Sequence, residues 1–339
     1  MEMHLMRVTV KDIAKLAGVT QPTVSKALNN EPGVGEQTRI RILEIAKELN
    51  YVPNLAAKRL VTRHSNCIGL IWPGWSGLFY YHLCNAIQLE VTRRGLTFLV
   101  SVAKPATAIQ TFNEHFVDRI LYWESPVWVP KMEFIKAREA FQGELLLLGG
   151  ATMEGAHRID IDRKKGIYKA VQHLAELGHR KISFIGQPSS DKLAGYMQGM
   201  FEFRMEHHPD YFIERIKNKV PKETVQQMLS LPASQRPTAL IVDSQGALFQ
   251  MLSCFRKTRL VIPDDISLIV YDDVPEMEEL FEVPLTVVGP NIQKLAESAV
   301  DVLVRENGSK DAETAPTAQL VIEPDLVIRG STKPVVPPA

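Results

Sequence analysis

The chain opens on short amphipathic stretches whose apolar positions recur at helical spacing. Thr9 with an acid three residues later, Asp12, reads as an N-terminal cap. Ile13, Ala14, Leu16 and Ala17 follow as one apolar face, and Gly18 ends the helix, where a left-handed backbone suits glycine. Val19 turns inward. Thr20 caps a second helix, with Pro22 in its first turn, where a missing N–H does no harm. Val24, Ala27 and Leu28 form its inner side and leave Gln21, Thr23, Ser25 and Lys26 facing outward. A third helix is predicted over about 36–50, with Ile40, Leu43, Ala46 and Leu49 packing back. Two short helices around a glycine turn make a helix-turn-helix.

From residue 67 the pattern changes. Strand-like runs at 68–72, 97–102, 119–123, 145–148, 181–185, 239–242, 267–271 and 285–288 alternate with helical patterns such as 83–94, 166–177 and 292–305. That alternation predicts parallel sheets covered by helices. Some 260 residues of it exceed what one sheet usually holds, so two α/β lobes are expected. The fold class is therefore α/β: a small all-α head at 1–52, a connector at 53–66, a two-lobed domain with parallel sheets at 67–330, and a disordered tail at 331–339, Pro-rich from Pro334. In such sheets ligands sit at the carboxyl ends of strands.

Charge sharpens this division. The whole chain of 339 residues is neutral, with 39 Lys and Arg against 39 Asp and Glu. Residues 1–66 hold ten basic residues against six acidic ones, so they carry +4 and the remainder −4. A positive, polar-faced head fits an anionic partner, because Lys and Arg neutralise phosphates while polar side chains read base edges. Three cysteines at no metal-ligand spacing predict neither a disulfide framework nor a zinc module, and no cofactor is called for. No apolar run approaches a membrane span of about 18 residues, and a cytoplasmic protein is expected.

The loop after the first strand of the large domain packs five aromatics into residues 72–81. Trp72, Trp75 and Phe79 are the candidates there for stacking on the C–H faces of a sugar or cyclic polyol.

Val8-Thr9-Val10-Lys11-Asp12-Ile13-Ala14, Val19 through Asn29, Glu36-Gln37-Thr38-Arg39 and Glu48 through Asn54 resemble the head of the lactose-repressor (LacI/GalR) family. The resemblance implies that the helix begun at Thr20 enters the DNA major groove. It places Gln21, Pro22 and Lys26 at base-reading positions and Thr20, Thr23, Ser25 and Asn29 at phosphates, and Lys11 joins the DNA-facing set. Pro22 has no hydrogen bond to offer, so Gln21 and Lys26 carry more of the readout, with Gln suited to adenine and Lys to guanine. Gly35 stands where the family usually has a capping Ser.

The connector 54–61 is a good helix former, yet too short to be stable alone in water. By the same resemblance it is a hinge helix that folds on DNA. Ala57, Lys58 and Leu60 match the family's minor-groove contacts, with Lys58 replacing an Arg and Leu60 acting as the apolar wedge. A pair of wedges requires a homodimer, or a tetramer built from it, on a near-palindromic operator.

The remainder resembles the family's periplasmic-binding-protein-like core through Asp162, Gly166, Leu174, 178–182, 262–267, 271–273, 284–286 and 328–332. His179 is read as structural. Asp272 stands at the family's ligand-binding Asp, Lys192 where an effector-binding Arg is usual, and Asp243-Ser244 replaces an Asn-Asp pair. Asp243 remains a hydroxyl acceptor at a strand end, while Asp273, Glu276, Glu278 and Glu279 read as a solvated acidic loop. The resemblance implies an effector-controlled transcriptional repressor, a binding protein rather than an enzyme. Two alternatives fit the residues less well. A hydrolase would need the pairs Asp160/Asp162 or Asp272/Asp273 to converge, which residues so placed on strands do not do readily. A transport-type sugar-binding protein fits neither the basic head nor the missing signal peptide.

Overall fold

A computed structural model describes residues 8–51, 66–72, 74, 77–188, 190–216, 219–279, 281–305 and 317–335. The chain divides into two compact units, Met1–Ser65 and Asn66–Ala339. Apart from Asn66, the connector predicted at 53–66 lies outside the described residues. Among the described residues no helix is long and apolar enough to cross a membrane.

The first unit contains α1 (Val10–Ala17), α2 (Gln21–Leu28) and α3 (Glu36–Glu48). Local chemistry sets each boundary. The Thr9 N–H and hydroxyl both donate to the Asp12 carboxylate, at 2.9 and 2.7 Å. Gly18 adopts φ 67°, left-handed as predicted, and its N–H closes on the Ala14 carbonyl. The Thr20 hydroxyl accepts from the Thr23 N–H at 3.4 Å, and Gly35 opens α3 with no side chain to cap it. Helices of eight residues are not stable alone. They hold because Ile13, Ala14, Ala17, Val24, Ala27, Ile42 and Ala46 close one small core. Here the predicted packing needs correction. Leu16, Ile40 and Leu43 are 56%, 48% and 45% exposed, and Ile42 is fully buried. In Ile40-Arg41-Ile42-Leu43 three of four positions are apolar, but a helix turning about 100° per residue buries one stripe. The stripe runs through Ile42 and Ala46, with Ile45 and Leu49 flanking it. Arg39 then pins the turn between α2 and α3, donating to the Asn30 side chain and the Glu31 carbonyl, both at 2.7 Å.

The second unit holds two sheets. The first lobe has β1 (Cys67–Ile71), β2 (Thr97–Ser101), β3 (Arg119–Trp123), β4 (Glu144–Leu148), β5 (His157–Ile161) and β11 (Gln319–Ile322), in spatial order β11-β5-β4-β3-β1-β2. Helices α4 (Leu78–Arg93), α5 (Pro105–Glu114), α6 (Met132–Ala140) and α12 (Ile292–Val304) belong with it. The second lobe has β6 (Ile182–Gly186), β7 (Phe212–Glu214), β8 (Ala239–Val242), β9 (Ser267–Tyr271), β10 (Thr286–Gly289) and β12 (Asp325–Val327), in order β12-β10-β9-β8-β6-β7. Its helices are α7 (Arg163–Glu176), α8 (Asp191–Glu202), α9 (Lys222–Leu229), α10 (Gln245–Thr258) and the short α11 (Glu276–Glu279). All the pairings are parallel except β10 with β12. The predicted parallel α/β architecture is thus what the chain forms. It passes between lobes three times, after β5, after β10 and after β11.

The central strands are mostly apolar and buried along their whole length, as expected where helices cover both sides. β5, β7, β11 and β12 were not among the predicted runs. They are short, and polar residues interrupt them, as in His-Arg-Ile-Asp-Ile of β5.

A second correction concerns the tail. The segment predicted to be disordered from 331 is ordered through Val335. The Ser331 side chain is fully buried, accepting from the Thr286 N–H at 2.7 Å and donating to the Leu268 carbonyl at 2.6 Å. The Val335 N–H reaches the Leu177 carbonyl at 2.9 Å. Residues 336–339 lie outside the described set.

His179 fastens the same segment. Its Nε2 donates to the Lys333 carbonyl at 3.1 Å, and Nδ1 faces the Thr238 hydroxyl at 2.8 Å. Burial holds this imidazole down to about 4. The unfolded chain therefore binds a proton that the folded chain refuses, and stability present above about pH 6.5 is lost as pH falls towards 4. In His179→Gln, the drop in Tm between pH 7 and pH 5 should be smaller than in the wild type. Scanning calorimetry at both values checks this, and equal drops would contradict it.

Candidate functional site

The head presents one polar face. Lys11, Thr20, Gln21, Pro22, Ser25, Lys26 and Asn29 are exposed, and Thr23 is half-buried. On α2 the buried Val24 and Ala27 fix rotation about the helix axis, so Gln21, Ser25 and Lys26 point away from the core. Thr20 and Thr23 share a hydroxyl contact at 2.9 Å, and Asn29 donates to Ser25 at 3.5 Å. This is a short helix entered through a fixed turn, with polar side chains along its free side. Ala57, Lys58 and Leu60 lie outside the described residues.

The second candidate site gathers at the carboxyl ends of the second lobe's strands. Gln187 follows β6, Arg215 follows β7, Asp243 follows β8 and Asp272 follows β9. Asp272 takes φ 78°, a left-handed conformation costing a non-glycine residue of order 1 kcal/mol. The neighbouring strand end accommodates it with Gly289, where a Cβ would fall 2.9 Å from the Asp272 Cα. Helices α7 and α8 close the same end of the lobe. A Cβ on Gly195 would lie 2.1 Å from the Lys164 carbonyl, so only glycine lets the two helices approach this closely. That contact brings Arg163, in the first turn of α7, and Lys192, in the first turn of α8, into one group.

Electrostatics shape this group. Lys192 Nζ donates to the Asp243 carbonyl at 2.6 Å and lies 3.4 Å from the centre of the Tyr271 ring. Burial pulls its ammonium down to about 8, against the opposing pull of Asp272 and Asp243. Burial likewise raises the Asp272 carboxyl, although Lys192 and Arg163 both favour its charged form. Lys192 and Asp272 form no ion pair with each other among the described residues.

Asp243 differs from its predicted role. Its Oδ2 already accepts from Arg215 at 2.7 Å and from the Gln187 N–H at 3.0 Å. Only Oδ1 remains, buried and without a partner among the described residues. Asp243 thus orients Arg215 more than it offers itself to a diol.

The aromatic loop also departs from expectation. Phe79 is 5% exposed and belongs to the first lobe's core, with ring centres 5.5 Å from Tyr80 and 5.6 Å from Trp123. It opens α4, and helical periodicity turns it inward with Leu83. Trp72 is half-buried at the end of β1, edge-on to Tyr80 at 6.2 Å. Trp75 lies outside the described residues. Tyr80 bears on the cleft instead. Burial lifts its phenol to about 12, and both Asp272 and Arg163 of the other lobe act on it.

The acidic loop is not simply solvated. Arg329, 13% exposed, donates to Asp273 at 2.9 Å and Glu278 at 2.8 Å, and Glu276 meets His82 of the first lobe at 2.9 Å. Residue types alone did not mark Arg163, Arg215, Tyr271 or Gln245. Tyr271 adjoins Asp272, the nearest thing to a signal; the others depend on which strand ends meet.

Residues 9–54 match the pattern of bacterial regulatory proteins of the lacI family, and residues 171–332 match the periplasmic binding protein-like domain. The chain joins a lacI-type helix-turn-helix domain to a periplasmic binding protein-like domain.

Similarity to transcriptional regulators extends over nearly the whole chain. The chain is 26% identical over 336 residues to the HTH-type transcriptional repressor PurR of Vibrio campbellii, covering 96% of this chain and 98% of that one. It is 26% identical over 346 residues to the HTH-type transcriptional regulator DegA of Bacillus subtilis, covering 97% and 99%. Among solved structures, the lac repressor dimer bound to operator and the anti-inducer ONPF superposes with TM-score 0.78 at 23% identity, over 97% of this chain and 100% of that one. The transcriptional regulator CelR–cellobiose complex superposes with TM-score 0.60 at 22% identity, over 96% and 100%. The two structural likenesses speak for the fold.

Within the periplasmic binding protein-like domain the buried Lys192 ammonium has a measurable consequence. The Lys192 value is about 8 in the folded chain and 10.5 when free, so above pH 8 the unfolded chain holds the extra proton. Stability should therefore rise with pH between about 8 and 10.5 on account of this residue. Comparing the Tm of wild type and Lys192→Met from pH 7 to 10 checks it. The variant should be relatively more stable at pH 7, with its advantage shrinking towards pH 10; a constant difference would contradict this.

Proposed function

We propose that this protein is a transcriptional repressor that binds a near-palindromic operator as a homodimer and responds to a small hydroxylated effector, of the sugar or cyclic polyol class. The observation that carries this reading is the pairing, in one chain, of a helix-turn-helix with a polar outer face and a two-lobed domain with a charged cleft. The relatives' names as transcriptional repressors and regulators, and the operator-bound lac repressor dimer, support it. So does the cellobiose complex of CelR.

In this reading α2 lies in the major groove. Gln21 and Lys26 reach base edges, while Lys11, Thr20, Thr23, Ser25 and Asn29 meet phosphates. Pro22 adds only contact surface. Ala57, Lys58 and Leu60 enter the minor groove, with Leu60 prying a base step open. The second copy meets the first lobe. Its edge strand β2 leaves Val100 exposed, as is Val102 just after it, and the adjoining α4 leaves Tyr81 and Leu89 exposed. An uncovered edge of this kind calls for a cover.

The cleft binds rather than reacts. Asp160 pairs with Arg158, Asp162 caps α7 through the Lys165 N–H, and Asp273 is held by Arg329. Both carboxylates of the first pair a hydrolase would use, and Asp273 of the second, are committed to structure. Effector seated between Tyr80 on one lobe and Lys192 and Asp272 on the other favours one arrangement of the lobes. Operator affinity then shifts by the coupling energy, typically about 1–3 kcal/mol.

Selection from randomised duplexes, followed by anisotropy titration, tests the reading. A short near-palindrome should emerge. Lys26→Ala should lower affinity for it by about 1–3 kcal/mol and relax preference at one base pair per half-site. Selection that yields no preferred sequence would refute the repressor reading. Equal weakening on every sequence would make Lys26 a phosphate contact.

A further inference from the structure

We infer that the effector is a monoanionic polyhydroxy acid, a sugar acid rather than a neutral sugar, with its carboxylate received by Arg163 and Lys192 and its hydroxyls by Asp272. The inference rests on the repressor reading and names the ligand class for that same cleft.

The charges are the first argument. The groups converging on the cleft are Lys192, Arg163 and Arg215 against Asp243 and Asp272. Arg215 and Asp243 form a closed pair, with side chains 10% and 3% exposed. Asp162 and Asp191 also act on Tyr271 there, but Asp162 is held as the cap of α7 and Asp191 is exposed to water. Among the groups withdrawn from water that leaves Lys192 and Arg163 facing Asp272, one positive charge in excess. Excess charge in dehydrated surroundings is costly, and a ligand carrying one negative charge offsets that cost where a neutral one does not.

Hydrogen bonding is the second argument, and it is independent of charge. Arg163 Nη1, Arg215 Nε and Gln245 Nε2 are buried donors without an acceptor among the described residues. Gln245, which opens α10 directly after the Asp243-Ser244 strand end, is 3% exposed. Guanidinium nitrogens and an amide nitrogen only donate. Lys192 gives one N–H to the Asp243 carbonyl and keeps two. Against these stand the Asp243 Oδ1 and the carboxylate of Asp272, with the Tyr271 hydroxyl able to act either way. Donors therefore outnumber acceptors. A hydroxyl brings both in equal measure, whereas a carboxylate brings acceptors alone, in the planar geometry that a guanidinium fork matches. The hydroxyls of the same molecule satisfy Asp272, and Tyr80 and Trp72 supply an apolar wall on the other lobe.

The test uses the full-length protein and matched pairs of ligands. Glucuronate and galacturonate are compared with glucose and galactose, gluconate with sorbitol, and glucose 6-phosphate serves as a dianion. Thermal shift and titration calorimetry read binding, and operator anisotropy is followed in parallel. At least one acid should bind tenfold or more tightly than its neutral partner. Arg163→Gln should lose most of that preference, and Arg163→Lys, which keeps the charge, should retain part of it and control for folding. Affinity for the acid should also fall between pH 7 and pH 9 as Lys192 loses its proton. A neutral sugar bound as tightly as its acid overturns the inference, as does preference for the phosphate or failure of every acid to bind. If those failures occur while a specific operator is still bound, the sugar acid is wrong and the repressor reading stands. If no specific operator is bound, the repressor reading itself fails.

Discussion

The functional half of this molecule depends on the direction of its strands. In the second lobe β7, β6, β8, β9 and β10 all run the same way, so their carboxyl ends lie along one edge. A parallel ladder exposes backbone and side chains there that the helices do not cover. That single constraint assembles Gln187, Arg215, Asp243 and Asp272, which are far apart in the chain. The glycine-mediated approach of α7 to α8 adds Arg163 and Lys192 from the side. The result is a group of opposite charges withdrawn from water, of which one pair is closed and the rest are open. A dehydrated, preorganised set of this kind binds strongly only what matches its donors and charges.

Three passages of the chain between the lobes make such a site able to report its state. The segments after β5, β10 and β11 are the covalent links, and side chains also bridge the lobes. His82 with Glu276 is one such bridge, a contact from α4 to α11. A ligand that touches Tyr80 on one side and Asp272 on the other adds to these links, so its binding energy differs between lobe arrangements. A difference of that kind is the requirement for coupling. The head meets a separate requirement. Its three helices are too short to persist singly, and caps at Thr9 and Thr20, the left-handed Gly18 and a core of seven buried residues hold α2 in one orientation.

Much of this was legible in residue order. Caps and turns act through neighbours, so Thr9, Gly18, Thr20 and Pro22 could be placed from spacing alone. Runs such as 119–123, 239–242 and 267–271 are apolar apart from an opening Arg119 or Ser267, and they form β3, β8 and β9 with the same limits. What escaped depends on three-dimensional choice. Ile40-Arg41-Ile42-Leu43 offers several stripes, and only packing against α1 and α2 selects Ile42. Phe79 and Tyr80 are adjacent aromatics, and helix phase decides which enters the core. Arg215 follows a three-residue edge strand with little pattern of its own, and its meaning comes from the Asp243 carboxylate 28 positions later. Ser331 to Val335 look like a Pro-rich tail, yet Thr286, Leu268, His179 and Leu177 supply partners for them.

The central claim is that occupancy of the cleft at Asp272 sets operator affinity. The most direct measurement is the ratio of operator Kd with and without saturating effector, taken for the wild type and for Asp272→Asn. The ratio should depart from one by about fivefold or more in the wild type, the scale of a coupling energy of about 1 kcal/mol or more. In Asp272→Asn the ratio should collapse towards one. An unchanged ratio in the variant would contradict the account.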